Sequence, residues 1–433
     1  MRGWRRLAAG ALWAAARLGA QQPPPATLAV TLDEAVRRAL EVQPAVIQAR
    51  GDQRNAAATE RAAVGAFLPA VTAGASSNNA SANRYNSATG QIVTVPTSTT
   101  YSGALGVSLD LFDGFRRLAA RSAAAATARA ADAGFVNQRY QVTVTTQQLF
   151  FTALANEELV GVAQAQLERA REERQISVNK FQVGAATRSD TLTSAVDFGN
   201  AQLALLQAQA NLATAQANLG RQIGVDQPVR AVPDTVLPPL PDTTGLRAEA
   251  LAAAPQVRQA DAAARAARAQ VTVARAQYWP TLSASYSNGY TGFDAPWSST
   301  QSYVNNWTLR FSLNWTLFNG FSREAQDVAA AVARDVAEAR AADTRRQVNA
   351  QLTEQFAALL TANAQVGIAA ANVAAAQEAV RVQQERYRLG AGTLLDLLTA
   401  QANLTQAQVN EVQARYNYRV ARAQLEALVG HPL

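Results

Sequence analysis

The sequence contains one unit written twice, and no other feature limits its fold as much. FQVGAATRSDTL, residues 181 to 192, matches YRLGAGTLLDLL, residues 387 to 398, setting Gly184 on Gly390, Thr187 on Thr393 and Asp190 on Asp396, each 206 positions apart. The corners LFDGF from Leu111 and LFNGF from Leu317 keep that offset, as does the stretch Leu219 to Gly224 against Leu425 to Gly430. Upstream, FLPAVTAGAS from Phe67 matches YWPTLSASYS from Tyr278, and Pro44 matches Pro255, at an offset of 211. The change falls between the two strands of each half, where a loop can absorb it.

Each repeat reads as helix, strand, loop, strand, long helix, turn, helix. The first spans 31–225 and the second 246–430, joined by an extended connector, 226–245, that holds five prolines. Residues 21–30 look similarly extended. Thr31-Leu-Asp-Glu opens a helix as a capping box, predicted to end near Phe67 before Pro69. A helix from Phe115 to Phe181 would be about 100 Å long at 1.5 Å per residue, and another runs over 190–222. The second half repeats this with helices over 246–277, 321–387 and 396–429. In both halves the two shorter helices laid end to end match the long one, as a cylinder of parallel rods requires. Strands are expected at about 68–76 and 101–111, then 281–290 and 307–317. The Ser-, Asn-, Thr- and Gly-rich stretches from Ser76 to Thr100 and from Ser287 to Asn306 read as exposed loops between them.

The N-terminus, 1–20, has Arg2, Arg5 and Arg6 ahead of a short apolar run ending in small residues, the layout of a secretory signal peptide. Without it, 35 basic residues face 32 acidic ones. Lys180 is the only lysine, and the arginines are scattered among Glu, Asp and Gln, which argues against nucleic acid as a partner. Cys is absent, which excludes disulfides and thiolate metal sites. After the leader no apolar run approaches the ~18 residues of a membrane helix. A membrane crossing would have to use strands.

WTLRFSLNWTL, from Trp307, fits that need. Trp307, Leu309, Phe311, Leu313 and Trp315 alternate with polar residues over the ~9 to 11 residues of a tilted transmembrane strand. The Trp residues after the leader lie beside Tyr278, Tyr286, Tyr290 and Tyr303 in this strand pair, as an aromatic girdle would. A soluble, half-buried antiparallel sheet would show the same alternation. In lipid, four strands leave open edges, so a barrel has to be shared between chains.

The duplicated plan, the LFDGF and LFNGF corners, the FLPAVT and YWPTLS strand starts, and above all the paired turns resemble the TolC-type outer-membrane efflux family over nearly the whole mature chain. The resemblance implies a homotrimer: a 12-stranded β-barrel in the outer membrane, continued by a long α-helical barrel through the periplasm. Eight strands from two copies would leave an interior filled with side chains. It implies an exit duct for a tripartite efflux or type I secretion system, with an inner-membrane transporter and a periplasmic adaptor as partners and outer-membrane lipid around the strands. Nothing in the chain selects among drugs, metal ions, solvents and polypeptides as cargo.

An enzyme is disfavoured, and no cofactor or metal site is expected. The chain has one His, His431, beside a terminus expected to fray, and neither H-E-x-x-H nor G-x-S-x-G. A coiled-coil structural or adhesive envelope protein is the other alternative, though it would not need twin strand pairs.

Function is expected at the two turns. Gly184 and Gly390 fall where a helix stops, with Thr187 and Thr393 as N-caps and Asp190 and Asp396 three residues on. A side chain at either Gly would need positive φ and is expected to fill the groove between paired helices. By resemblance the turns, with Gly392, dock the adaptor. Also by resemblance, Asp396 matches a carboxylate ring at the entrance, and Asp190 and Tyr387 match two members of a polar tie. Gly392 stands where a basic partner can sit and Thr399 where a second carboxylate can; Arg188 could substitute for the missing base.

Overall fold

The computed structural model describes residues 28–88, 90–233, 237–241, 245–299, 302–431 and 433. The signal peptide and most of the segment 21–30 lie outside these.

Two helices of 67 residues dominate: α3, Arg116–Gln182, and α7, Ser322–Arg388. Each is about 100 Å long and turns back into a helix of 36 residues, α4 (Arg188–Ile223) or α8 (Leu394–Val429). The first helix of each half is not continuous, contrary to the sequence expectation. It divides into α1, Leu32–Val42, and α2, Pro44–Gly65, and in the second half into α5, Leu246–Ala253, and α6, Pro255–Arg275. Pro44 and Pro255 have no N–H to give and force the preceding residue out of the helical region, so Gln43 (ψ 125°) and Ala254 (ψ 131°) become caps for the next helix. Thr31 caps α1 by accepting from the Glu34 amide, but the expected capping box is only half formed, because the Glu34 carboxylate accepts from Arg37 and Arg38 instead. The ends of the chain meet the connector. β1, Leu28–Val30, pairs in parallel with β4, Val229–Ala231, over the core formed by Ala35, Phe150, Leu219 and Ile223. The C-terminus is not frayed: the Leu433 amide donates to Glu426 at 3.2 Å, and Arg422 donates to the Leu433 carbonyl.

The other strands are β2 (Ala70–Asn86), β3 (Gln91–Phe112), β5 (Thr281–Gly292) and β6 (Tyr303–Asn314), in one antiparallel sheet of order β2-β3-β5-β6. The expected loop between Ser76 and Thr100 is therefore mostly strand. Beyond the Ser77–Tyr101 rung, where β5 ends, the β2–β3 ribbon continues as far as the pairing of Asn86 with Gln91, about 30 Å at ~3.3 Å per residue. In the second half the strands end sooner, and Trp315 and Leu317 lie past β6. Trp315 instead donates from Nε1 to the Tyr278 carbonyl at 3.3 Å.

Register extends the alternation across the sheet. Val71, Val107, Tyr286 and Leu309 form one row, and Ala73, Leu105, Asn288 and Trp307 the next. The rows between them, such as Thr72, Gly106, Ser287 and Thr308, point to the opposite face. At the two corners Phe115 and Phe321 adopt φ of 65° and 63°, held by edge-on contacts to Phe112 and Phe318. One stretch of α7 reaches a mean hydropathy of 1.4 over 18 residues, enough by length and composition for a membrane helix. The uncharged segment between Glu354 and Glu378 carries Gln355, Asn363, Gln365 and Asn372 among its alanines. Val373 within that segment and Val380 just past it pack against Ala400 and Leu404 of α8.

Candidate functional site

The two turns have the same backbone. Gly184 (φ 77°) and Gly390 (φ 75°) occupy the left-handed region, and the amides of Ala185 and Ala391 reach back to the carbonyls of Lys180 and Arg386, both at 2.8 Å. These bonds satisfy carbonyls that each helix end would otherwise leave open. Thr187 then accepts from the Asp190 amide at 3.2 Å while Asp190 accepts from the Thr187 amide at 2.8 Å. Thr393 and Asp396 do the same at 3.1 and 3.2 Å. Both N-caps expected from sequence are present, and the Asp three residues on completes each as a capping box. The expectation that a side chain at Gly184 or Gly390 would fill a groove is not met, because an added Cβ would meet no atom within 4 Å. Only the positive φ demands glycine there. The close approach is at Gly392, where a Cβ would lie 3.1 Å from the Arg386 Cβ.

Behind the turns the two halves of the chain meet. Tyr387 is buried with Leu394 and Leu397, and Ile176 of α3 packs against them. The Lys180 ammonium lies 3.6 Å from the centre of the Tyr387 ring and donates to the Tyr387 carbonyl. Arg169 donates from Nη2 to Thr405 Oγ1 at 3.0 Å. Glu173 and Ser177 lie on the same face of α3 and are buried. Burial pushes the Glu173 carboxyl up to about 7; Lys180 opposes that rise and Asp197 adds to it. Burial also raises the Tyr387 phenol, and the carboxylates of Glu173 and Asp190 add to it.

Of the residues expected to form a polar tie, Tyr387 and Asp190 come close enough for charge to be felt. The Tyr387 hydroxyl faces Ser177, which opposes the rise of its pKa, while Asp190 is engaged by its own cap. Arg188 is exposed, and no ion pair with a described residue engages it. Thr399 donates to the Leu395 carbonyl at 2.8 Å. Asp396 is held below the usual carboxylate range chiefly by its hydrogen bonds to Thr393. Glu173, Arg169 and Ser177 were not anticipated. Their spacing of four along α3, ending in Lys180, is the signal that could have found them.

At the other end, Trp307, Leu309, Phe311 and Leu313 line one face of β6 and are between 52% and 70% exposed. An apolar face this open on a sheet with both edge strands unpaired needs a partner other than water. The chain matches the outer membrane efflux protein family over residues 35–225 and 246–431. It belongs to that family. The alkaline protease secretion protein AprF of Pseudomonas aeruginosa is 24% identical over 336 residues, covering 76% of this chain and 69% of its own. The probable efflux pump outer membrane protein TtgC of Pseudomonas putida is 24% identical over 341 residues, covering 76% and 69%. The Campylobacter jejuni CmeC outer membrane channel shares the fold at a TM-score of 0.78, with 19% identity, covering 92% of this chain and 85% of that one. This outer membrane efflux protein is thus an exit duct of the outer membrane with a large periplasmic helical part. The adhesive coiled-coil alternative is set aside, and the family is one of passive channels.

Proposed function

We propose that three copies of this chain close a 12-stranded barrel and a continuous helical cylinder, and that cargo handed over at the coiled-coil tips leaves through it passively. The apolar row of the sheet carries the reading: it is continuous from β2 to β6, exposed, and bounded by unpaired strand edges. In lipid those edges must pair, and the register lets β6 of one copy meet β2 of the next. The row Trp307, Leu309, Phe311 and Leu313 faces lipid, with Trp315 at its margin; Ser312, Arg310 and Thr308 face the lumen. The tips at Gly184, Thr187, Gly390, Gly392 and Thr393 dock a periplasmic adaptor that carries cargo from an inner-membrane transporter. Asp190, Arg188, Tyr387 and Asp396 surround the entrance. The relatives' printed roles in protease secretion and in efflux leave polypeptides and small molecules both within reach of this plan.

Arg at a lipid-facing position near the midplane costs about 2–4 kcal/mol. Leu309→Arg or Leu313→Arg therefore removes most assembled trimer, while Ser312→Arg leaves it, as native mass in detergent and conductance in planar bilayers would show. Equal effects at 309, 312 and 313, or a stable monomer of the native protein, would refute the shared barrel.

A further inference from the structure

Arg169, Glu173, Ser177 and Lys180 follow one another along α3 at helical spacing and so share a face. That face lies in the seam where the first-half coiled coil, α3 with α4, meets α7 and α8 of the second half. Arg169 reaches Thr405, Lys180 covers the Tyr387 ring, and Ile176 packs against Leu394 and Leu397. Glu173 is only 3% exposed. Yet Arg169 Nε and Glu173 Oε1 are buried without a hydrogen-bond partner among the described residues, and the Ser177 and Tyr387 hydroxyls have only each other. A closed seam that leaves a buried guanidinium nitrogen and a buried carboxyl oxygen unsatisfied is one that hydration favours opening.

We propose that Glu173 controls the parting of the two coiled coils at their tips: neutral while the seam is closed over it, ionised once the tips separate and expose it to solvent. This rests on reading the tips as the entrance. The groups around Glu173 are Arg169 and Lys180 of α3, Asp197 of α4 and Tyr387 of α7; α8 contributes Leu394, Leu397 and Thr405, none of which titrates. Burial raises the Asp197 carboxyl as well and lowers the Arg169 guanidinium, so no settled ion pair balances Glu173. A carboxyl whose pKa is higher in the closed state holds more protons there. Raising the pH from its ordinary value of 4.5 to about 7 therefore favours opening, and a further rise adds little. Between pH 5 and pH 8 the open-to-closed ratio should rise by tens of fold.

The chain has no Cys, so Ala185→Cys with Ala391→Cys, both exposed, puts spin labels on the two tips of the full-length protein. Pulsed distance measurements at pH 5 and pH 8 should show the longer tip separation gaining population at pH 8. Glu173→Gln and Glu173→Leu should each hold the short separation at both pH values, so a folding defect in one does not decide the matter. Glu168→Gln, at an exposed carboxylate on the same helix, should keep the full response. Tip distances independent of pH in the native sequence, or a full response in both Glu173 variants, would overturn the proposal. If the tips part with pH while bilayer conductance stays constant, control by Glu173 stands and the entrance reading falls.

Discussion

The two tips of the molecule share a backbone but not a neighbourhood. At equivalent places, Phe181 is 44% exposed and Tyr387 is 7% exposed. The polar face of α3 is only partly matched in α7: Ala375 stands for Arg169 and Ala379 for Glu173, while Gln383 stands for Ser177, Arg386 for Lys180 and Asn403 of α8 for Asp197. The duplicated halves have kept the Gly, Thr and Asp that end one helix and begin the next, because each chain segment needs those wherever it packs. They have diverged where α3 meets α7, since a seam between unequal partners needs only one set of polar groups.

The difference predicts unequal responses to equal cuts. Tyr387→Ala removes a buried ring and should cost the tip about 3 kcal/mol, in the range for aromatic truncation in a core. Amide exchange over 385–398 would then quicken by roughly a hundredfold. Phe181→Ala, at a half-exposed position, should cost less than about 1 kcal/mol. Similar acceleration at both tips would mean that the seam is as loose at Tyr387 as at Phe181.

A cut at the shared backbone should behave the other way. Thr187→Ala and Thr393→Ala each remove one capping bond and should each cost about 1 kcal/mol, with similar local loss of exchange protection. A cost at Thr393 well above that at Thr187 would show that the second cap also supports the seam.

What the sequence made legible follows the same division. Gly184, Gly390 and the capping boxes could be read because their causes lie within a few residues, and the alternation of Trp307 to Leu313 because lipid leaves one face apolar. The β2–β3 ribbon was missed because Ser76 to Thr100 is mostly Ser, Asn and Thr, with Ile92, Val93 and Val95 too few to set a hydrophobic period. Pro44 and Pro255 were seen as a matched pair, yet the breaks they impose were not drawn. The pairing of Leu28–Val30 with Val229–Ala231 joins segments 201 residues apart by number and too short for any pattern. Glu173 was not singled out, because only the packing of α4 and the second-half coiled coil against α3 makes it buried.

The smallest effect concerns Asp396, whose equivalent in the first half is Asp190. Both carboxylates accept from their own Thr caps, and Thr393 lowers the Asp396 pKa below its ordinary value of 3.8. A lowered folded-state pKa means that its stabilising contribution is present above about pH 4 and lost only as the pH falls through the lowered value. Three such charges around a threefold axis would focus negative potential at a narrow mouth, while their mutual repulsion would push the pKa back up. Within one copy the cap keeps Asp396 ionised, so the pore should be modestly cation-selective from pH 8 down to about pH 5. Asp396→Asn should weaken that selectivity, and Asp190→Asn should weaken it less, as reversal potentials in planar bilayers would show. Selectivity that fades between pH 7 and pH 5 would mean that repulsion across the axis outweighs the cap. Equal losses in the two variants would place both carboxylates equally near the mouth and remove the distinction between the tips at their outermost point.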